Sequence, residues 1–126
     1  MSNILVIEDM AGVRHAIGSM LKRAGHTVTT AESGEQGMTE LKQKRFDLVV
    51  PDLMMPGMDG TEVLFQLKAM PNRPPVIAIS GGGAGVSAEN ALKAAKLEAD
   101  AFLQKPFERA ELLAAVNQLL GKSSAA

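Results

Sequence analysis

Short apolar runs and longer amphipathic stretches alternate along this chain. The clearest runs are residues 4–7, 48–50, 76–79 and 101–103, and residues 26–30 form a weaker candidate that is rich in β-branched side chains. None of these runs alternates apolar with polar positions, as a strand exposed on one face does. The runs therefore predict strands that are buried on both faces, which is typical of a parallel sheet.

Apolar residues spaced three or four positions apart predict helices between these runs. Residues 13–24 have this spacing, and Gly25 is expected to end that helix. The next helix is predicted to begin at Ser33, with Gln36 at the spacing of a capping box. Three further helices are predicted over residues 61–70, 87–97 and 108–120.

A strand followed by a helix, five times over, predicts an α/β domain of the (βα)5 type. Its parallel sheet is doubly wound, so that helices cover both faces. We expect one domain over residues 1–121, with Gly121 ending the last helix, and a disordered tail or the start of a linker over residues 122–126. The sequence shows no second domain, repeat or long linker.

Composition and charge narrow the class of protein. Hydrophobic residues make up 46% and charged residues 21% of the chain, an ordinary balance for a globular domain. The net charge of -1 gives no overall field that draws nucleic acid or an anionic membrane. No apolar run approaches the roughly 20 residues of a membrane span, and the absence of Cys excludes disulfides and thiolate chemistry. We therefore expect a cytoplasmic protein that binds neither nucleic acid directly nor a membrane.

Side chains that can carry chemistry follow four of the predicted strands. Glu8 and Asp9 follow the first strand, Asp52 follows the third, Ser80 the fourth and Lys105 the fifth. Ligands of open parallel sheets bind outside the carboxyl ends of the strands. These five side chains are therefore expected to converge at one edge of the sheet.

Three carboxylates, a hydroxyl and an amine in one place favour phosphoryl chemistry. The carboxylates repel one another and need a counter-ion, and Mg²⁺ suits them because it takes oxygen ligands and keeps several waters. A lysine can hold a carboxylate or a phosphoryl oxygen, and a hydroxyl beside glycines offers a donor to an anionic oxygen. The set indicates a site for a phosphoryl group carried on, or passing through, a carboxylate.

Each of these residues also has a purely structural explanation. Glu8 and Asp9 can favour the N-terminus of the first helix, and Asp52 can begin a turn. Ser80 can be a small loop residue, and Lys105 a solvated lysine. The functional interpretation depends on all five residues falling at strand ends on the same edge.

Four segments give the sequence a resemblance to a known family. They are ILVIEDM, FDLVVPDLMMPGMDG, VIAISGG and ADAFLQKPF, in this order and spread over nearly the whole chain. On these segments the chain resembles the receiver domains of two-component response regulators, in particular the single-domain, chemotaxis-receiver-like type. The resemblance implies a flavodoxin-like sheet of five parallel strands in the order 2-1-3-4-5.

The resemblance implies a role for each acid and for the lysine. Asp52 resembles the phospho-acceptor, and Lys105 resembles the lysine that pairs with the phosphoryl group. Asp9, Asp52 and the backbone carbonyl of Met54 resemble the ligands of Mg²⁺, with Glu8 acting through water. Such a protein catalyses its own phosphoryl transfer and dephosphorylation and is not an enzyme for an external substrate.

The resemblance also implies a switch and a set of partners. Ser80 resembles the hydroxyl that moves towards the phosphoryl group, and Phe102 falls at the family's aromatic switch position. The surface of the fourth helix, fifth strand and fifth helix would then change and control a downstream protein. The implied phosphodonor is a histidine kinase or a phosphotransfer protein, and a role as a phosphate sink or relay intermediate is an alternative.

Two residues depart from the family's usual pattern. Phe102 stands where tyrosine is more frequent, so no hydroxyl reports the switch position. Pro51 precedes the acceptor, although proline is disfavoured in a central strand. Either the strand ends at Val50, or the Pro51 nitrogen lies where no hydrogen bond is required.

Two other classes of function are weaker hypotheses. A phosphohydrolase with an aspartyl nucleophile commonly has a second acid two residues on, where this chain has Met54. A binding module that works without phosphorylation has no need of Glu8, Asp9, Asp52, Ser80 and Lys105 together.

Overall fold

The computed structural model of the chain describes residues 2–53, 60–80 and 99–124. The strands are β1 (Asn3–Ile7), β2 (Thr27–Ala31), β3 (Leu48–Pro51), β4 (Ile77–Ser80) and β5 (Ala101–Gln104). The helices in these ranges are α1 (Ala11–Arg23), α2 (Gly34–Gln43), α3 (Gly60–Lys68) and a C-terminal helix (Arg109–Ser124). The predicted helix over residues 87–97 and the carbonyl of Met54 lie outside the described residues.

The strands form a parallel sheet in the predicted order. β1 pairs with β2 on one side and with β3 on the other, and β4 pairs with β5. Two isolated parallel bridges, at Val49 and at Asp52, join β3 to β4. The order is therefore β2-β1-β3-β4-β5, which confirms the (βα)5 fold class.

Helices bury apolar side chains on both faces of the sheet. One cluster joins the odd-numbered side chains Leu5 and Ile7 of β1 to α2 and α3, and the other joins Ile4 and Val6 to α1 and the C-terminal helix. β1, β3 and β4 bury nearly every residue, as the continuous apolar runs predict. β5 is only half-buried because it lies at the edge of the sheet.

The two predicted glycine stops behave differently. Gly25 has a φ of 96°, the left-handed conformation that ends a helix, and α1 ends just before it at Arg23. The stop predicted at Gly121 is wrong, since the C-terminal helix continues to Ser124. A glycine in ordinary helical conformation costs only about 1 kcal/mol and does not end a helix by itself. The domain boundary at residue 121 stays a prediction.

The start of α2 follows the predicted capping pattern in part. The Oγ of Ser33 accepts a hydrogen bond from the backbone N–H of Gln36 at 3.1 Å. The side chain of Gln36 accepts in return from the N–H of Glu32 at 2.8 Å, one residue before the cap. No helix of the described residues is both long and apolar enough to cross a membrane.

Pro51 lies inside β3, and its nitrogen faces β4. The backbone N–H groups two residues before and two residues after Pro51 both point towards β4. The N–H of Val49 donates to the carbonyl of Pro75 at 3.0 Å, and the N–H of Leu53 donates to the carbonyl of Ile79 at 2.8 Å. Because N–H groups alternate in direction along a strand, position 51 points the same way. Both expectations for Pro51 are therefore wrong: the strand includes it, and its nitrogen lies where a bond would form.

The missing donor interrupts the pairing of β3 with β4. An N–H at position 51 would meet the carbonyl of Ile77, but proline has none. Pairing therefore remains only as bridges on either side, at Val49 and at Asp52. The ring of Pro51 also fixes φ in the residue that leads into Asp52.

Candidate functional site

Three acids meet at the carboxyl ends of β1 and β3. Glu8 and Asp9 follow β1, and Asp52 directly follows Pro51. Each contributes a carboxylate oxygen to a group in which these atoms lie within 4.8 Å of one another. Glu8 is fully buried and Asp52 is 1% exposed, whereas Asp9 is exposed.

Backbone hydrogen bonds to neighbouring strands hold two of these acids in place. The N–H of Glu8 donates to the carbonyl of Ala31 in β2 at 3.0 Å. The N–H of Asp52 donates to the carbonyl of Ile7 in β1 at 2.9 Å. The strand register therefore sets the positions from which both side chains enter the site.

Lys105 places its ammonium group between two of the acids. Its Nζ lies 2.5 Å from Glu8 Oε1 and 3.1 Å from Asp52 Oδ2. The backbone N–H of Lys105 donates to the carbonyl of Ser80 at 2.7 Å, and the Lys105–Pro106 peptide bond is cis. The ends of β1 and β3 thus meet at the ammonium group of Lys105, and the end of β4 meets its backbone N–H.

The charges at this site shift the pKa values of two groups. Partial burial lowers the pKa of Lys105, but hydrogen bonds and charges of Glu8 and Asp52 outweigh it and leave the pKa raised. This stabilisation is present at neutral pH and is lost as the pH rises above the usual lysine value of 10.5.

The pKa of Asp9 is also raised, by partial removal from water and then by the hydrogen bond and charge of Glu8. The folded chain therefore favours protonated Asp9 more than the unfolded chain does. Stability is lost as the pH rises through the raised value, so ionised Asp9 opposes folding at neutral pH.

The two predicted switch residues lie along the neighbouring strands. Ser80 ends β4 and is fully buried. Phe102 lies in β5 beside Ala78, is half-buried and packs against the core cluster on the α2 and α3 side of the sheet. Ser80 is thus at the carboxyl edge with the acids, and Phe102 lies farther back along β5.

The structure adds Arg14, which sequence reasoning missed. Its Nη1 donates to the carbonyl of Glu8 at 3.0 Å and to that of Asp9 at 3.3 Å. The only sequence signal for this contact is a basic residue in the first turn of the helix that follows the acid pair.

The donor set fits a hard divalent cation. Glu8, Asp9 and Asp52 supply only carboxylate oxygens, the ligand type that Mg²⁺ and Ca²⁺ prefer. Two of the three acids are buried, with one lysine as the common counter-charge. This acidic group could therefore hold a metal ion.

Comparison with known proteins agrees with this geometry. The transcriptional regulatory protein FixJ of Bradyrhizobium diazoefficiens is 34% identical over 124 residues, which cover 98% of this chain and 59% of FixJ. The transcriptional regulatory protein GlrR of Escherichia coli is 31% identical over 125 residues, covering 99% of this chain and 28% of GlrR. The chain therefore spans less than two thirds of the length of these curated relatives.

Solved structures and a family model extend the comparison. A response regulator receiver domain protein from Clostridium thermocellum matches with a TM-score of 0.89 at 28% identity, over 99% of this chain and 98% of that one. The family model of the response regulator receiver domain matches residues 4–117. With its parallel sheet and its acidic group at the strand ends, the chain belongs to the family of response regulator receiver domains.

Proposed function

We propose that the chain accepts a phosphoryl group on Asp52 and passes the resulting change to a partner protein. The observation that carries this proposal is the position of the Asp52 carboxylate. It is buried at the carboxyl edge of the sheet, 3.1 Å from the ammonium group of Lys105. A carboxylate held there, next to a cation and two further acids, suits acceptance of a phosphoryl group.

In the proposed reaction an oxygen of Asp52 attacks the phosphorus atom of the donor. The bond from phosphorus to the donor's leaving atom breaks, and an acyl phosphate forms on Asp52. Lys105 is placed to offset the negative charge on the phosphoryl oxygens. Glu8, Asp9 and Asp52 would hold Mg²⁺, which when bound supplies further positive charge at the phosphoryl oxygens.

The proposed output begins at Ser80 and Phe102. The hydroxyl of Ser80 would donate to an oxygen of the phosphoryl group carried on Asp52. Movement at Ser80 would be passed to Phe102 through the paired strands β4 and β5. The surface around β5 and the C-terminal helix would then change its affinity for a partner.

The proposed phosphodonor is a histidine kinase or a phosphotransfer protein. FixJ and GlrR are named as transcriptional regulatory proteins, and this chain matches only one part of each of them. Membership of the receiver family supports a signalling module, and a role as phosphate sink or relay intermediate is the second candidate. A cytoplasmic location stays a prediction.

The phospho-acceptor can be tested with a small phosphodonor. Acetyl phosphate and Mg²⁺ are expected to add one phosphoryl group to the wild-type chain, as measured by intact-protein mass spectrometry. Asp52→Asn keeps the size of the side chain, loses the nucleophilic carboxylate and should take up no phosphoryl group. Asp47→Asn changes an exposed acid away from this edge and should leave the uptake unchanged. Full uptake by Asp52→Asn would show that another residue is the acceptor.

Mg²⁺ is expected to stabilise the folded chain because it offsets the repulsion among Glu8, Asp9 and Asp52. At a concentration tenfold above its Kd, it should raise the free energy of unfolding by about 1.4 kcal/mol. Urea unfolding followed by circular dichroism, with Mg²⁺ and with a chelator, measures this difference. Asp9→Asn should lose most of the gain, while exposed Glu35→Gln should keep it. Equal gains in all three proteins would place the ion elsewhere.

A further inference from the structure

The loop that carries Glu8 and Asp9 lacks the usual devices that fix a helix start. Met10 occupies the N-cap position of α1 and makes no side-chain capping bond, and the first turn of α1 contains no acid. A helix start of this kind normally needs a side-chain partner to hold the loop before it. Other contacts must therefore hold the three residues between β1 and α1.

Arg14 supplies such contacts from inside α1. Its Nη1 donates to the carbonyls of both acidic residues, at 3.0 Å to Glu8 and 3.3 Å to Asp9. Its backbone N–H donates to the carbonyl of Met10 at 2.8 Å. One residue therefore bonds all three carbonyls of the loop. These bonds fix the peptide planes from which the two acidic side chains leave the backbone.

Glu8 connects this loop to the rest of the site. Its Oε2 accepts from the N–H of Met10 at 3.2 Å, while its Oε1 accepts from Lys105. The carboxylate is thus held on both oxygens, and the carbonyl of the same residue is held by Arg14. A shift of the Glu8 peptide would disturb the whole acidic group.

We propose that Arg14 is a positioning residue for the cation site formed by Glu8, Asp9 and Asp52. It acts through the backbone carbonyls of the first two acids and does not bind the cation itself. This inference rests on the proposed function, since it takes Mg²⁺ as the ion. Groups that orient metal ligands in this way commonly change metal affinity by 10- to 100-fold when they are lost.

A positioning role and a simple charge effect predict opposite signs. If Arg14 acted only as a nearby cation, it would repel Mg²⁺, and its removal would tighten Mg²⁺ binding. If it positions the loop, its removal should weaken Mg²⁺ binding although the site becomes more negative. The direction of the change in Kd therefore separates the two roles.

The test measures the Kd for Mg²⁺ by amide chemical shifts, because the chain has no Trp to report by fluorescence. Arg14→Ala is expected to weaken binding about 10-fold. Arg14→Lys keeps the charge but loses the planar fork, so it should recover part of the affinity. Lys22→Ala removes an exposed cation from the last turn of the same helix and should tighten binding slightly or leave it unchanged.

A second measurement needs no metal. In chelator, hydrogen exchange at the amide of Met10 should be faster in Arg14→Ala than in Lys22→Ala or wild type, since Met10 donates to Glu8. If Arg14→Ala does not fold, Arg14→Lys decides the question in both measurements. Mg²⁺ affinity equal to or tighter than wild type in the folded Arg14 variants would overturn the inference.

The outcomes also separate this inference from the proposed function. Normal Mg²⁺ binding by wild type with no phosphoryl uptake on Asp52 would overturn the proposed function and leave the role of Arg14 standing. Phosphoryl uptake on Asp52 together with unchanged Mg²⁺ affinity in Arg14→Ala would support the proposed function and overturn the positioning role of Arg14. A wild-type chain that binds no Mg²⁺ would overturn both.

Discussion

Replacing Lys105 by alanine is expected to lower the free energy of unfolding by about 3 kcal/mol in magnesium-free buffer. The Lys105 ammonium group bonds to Glu8 and Asp52, whose side chains are almost completely buried. Removing the ammonium leaves two carboxylates close together without that counter-charge, and a buried charge that loses its partner is strongly destabilising. Urea unfolding in the presence of a chelator measures the loss.

Two further variants show whether the loss comes from the buried charges. Lys42→Ala removes an exposed lysine from α2 and should change stability by less than about 0.5 kcal/mol. Asp52→Asn, combined with Lys105→Ala, removes one of the two buried carboxylates that have lost their counter-charge, so the double variant should be more stable than Lys105→Ala alone. A Lys105→Ala protein that unfolds at the wild-type urea concentration would contradict this account of the site.

Replacing Gly37 by alanine is expected to destabilise the chain by about 2 kcal/mol. A Cβ on Gly37 would overlap Cδ1 of Ile7 and lie 2.9 Å from its Cγ1. Ile7 is fully buried in the core cluster with Met38 and Leu41, so moving its side chain would disturb the close packing around it. The helix propensity of alanine offsets only about 1 kcal/mol of the cost. Urea unfolding measures the net effect.

Gly18 is the matched control for Gly37, because it is also a buried helical glycine. A Cβ on Gly18 would lie 3.7 Å from Cγ2 of Thr30, an ordinary contact distance. Gly18→Ala should therefore stabilise the chain by about 1 kcal/mol. Ile7→Val shortens the side chain that Gly37→Ala meets and should remove part of its cost. If both alanine variants were stabilising, the approach of α2 to β1 would be looser than the structure shows.

The sequence predicts the strands well because their environment is uniform. Strands buried on both faces need continuous apolar residues, so residues 4–7, 48–50 and 76–79 are recognisable without any neighbour. The edge strands are harder, since β2 and β5 are only partly buried. The helix end predicted at Gly121 was wrong because the presence of a glycine does not by itself show which φ angle it adopts.

The side chains of the site were predictable from position, but their supporting contacts were not. Acids at the ends of β1 and β3 meet because parallel strands present their carboxyl ends at one edge. The contacts of Arg14 depend on how a long side chain folds back onto carbonyls before the helix, which no periodic pattern reports. The effect of Pro51 depends on which neighbouring strand its nitrogen faces, and only the strand register shows that.

The proline before the acceptor divides the hydrogen-bonded ladder of the sheet into two units. Continuous ladders join β2, β1 and β3 into one unit and β4 and β5 into another, while the boundary between them lacks a donor at position 51. Units of this kind can open separately, each with its own free energy. Asp52 lies on that boundary, bonded through its own N–H to Ile7 in one unit and, through the next residue, to Ile79 in the other. A change of charge on Asp52 therefore acts at one of the two bridges, at Val49 and at Asp52, that join the units.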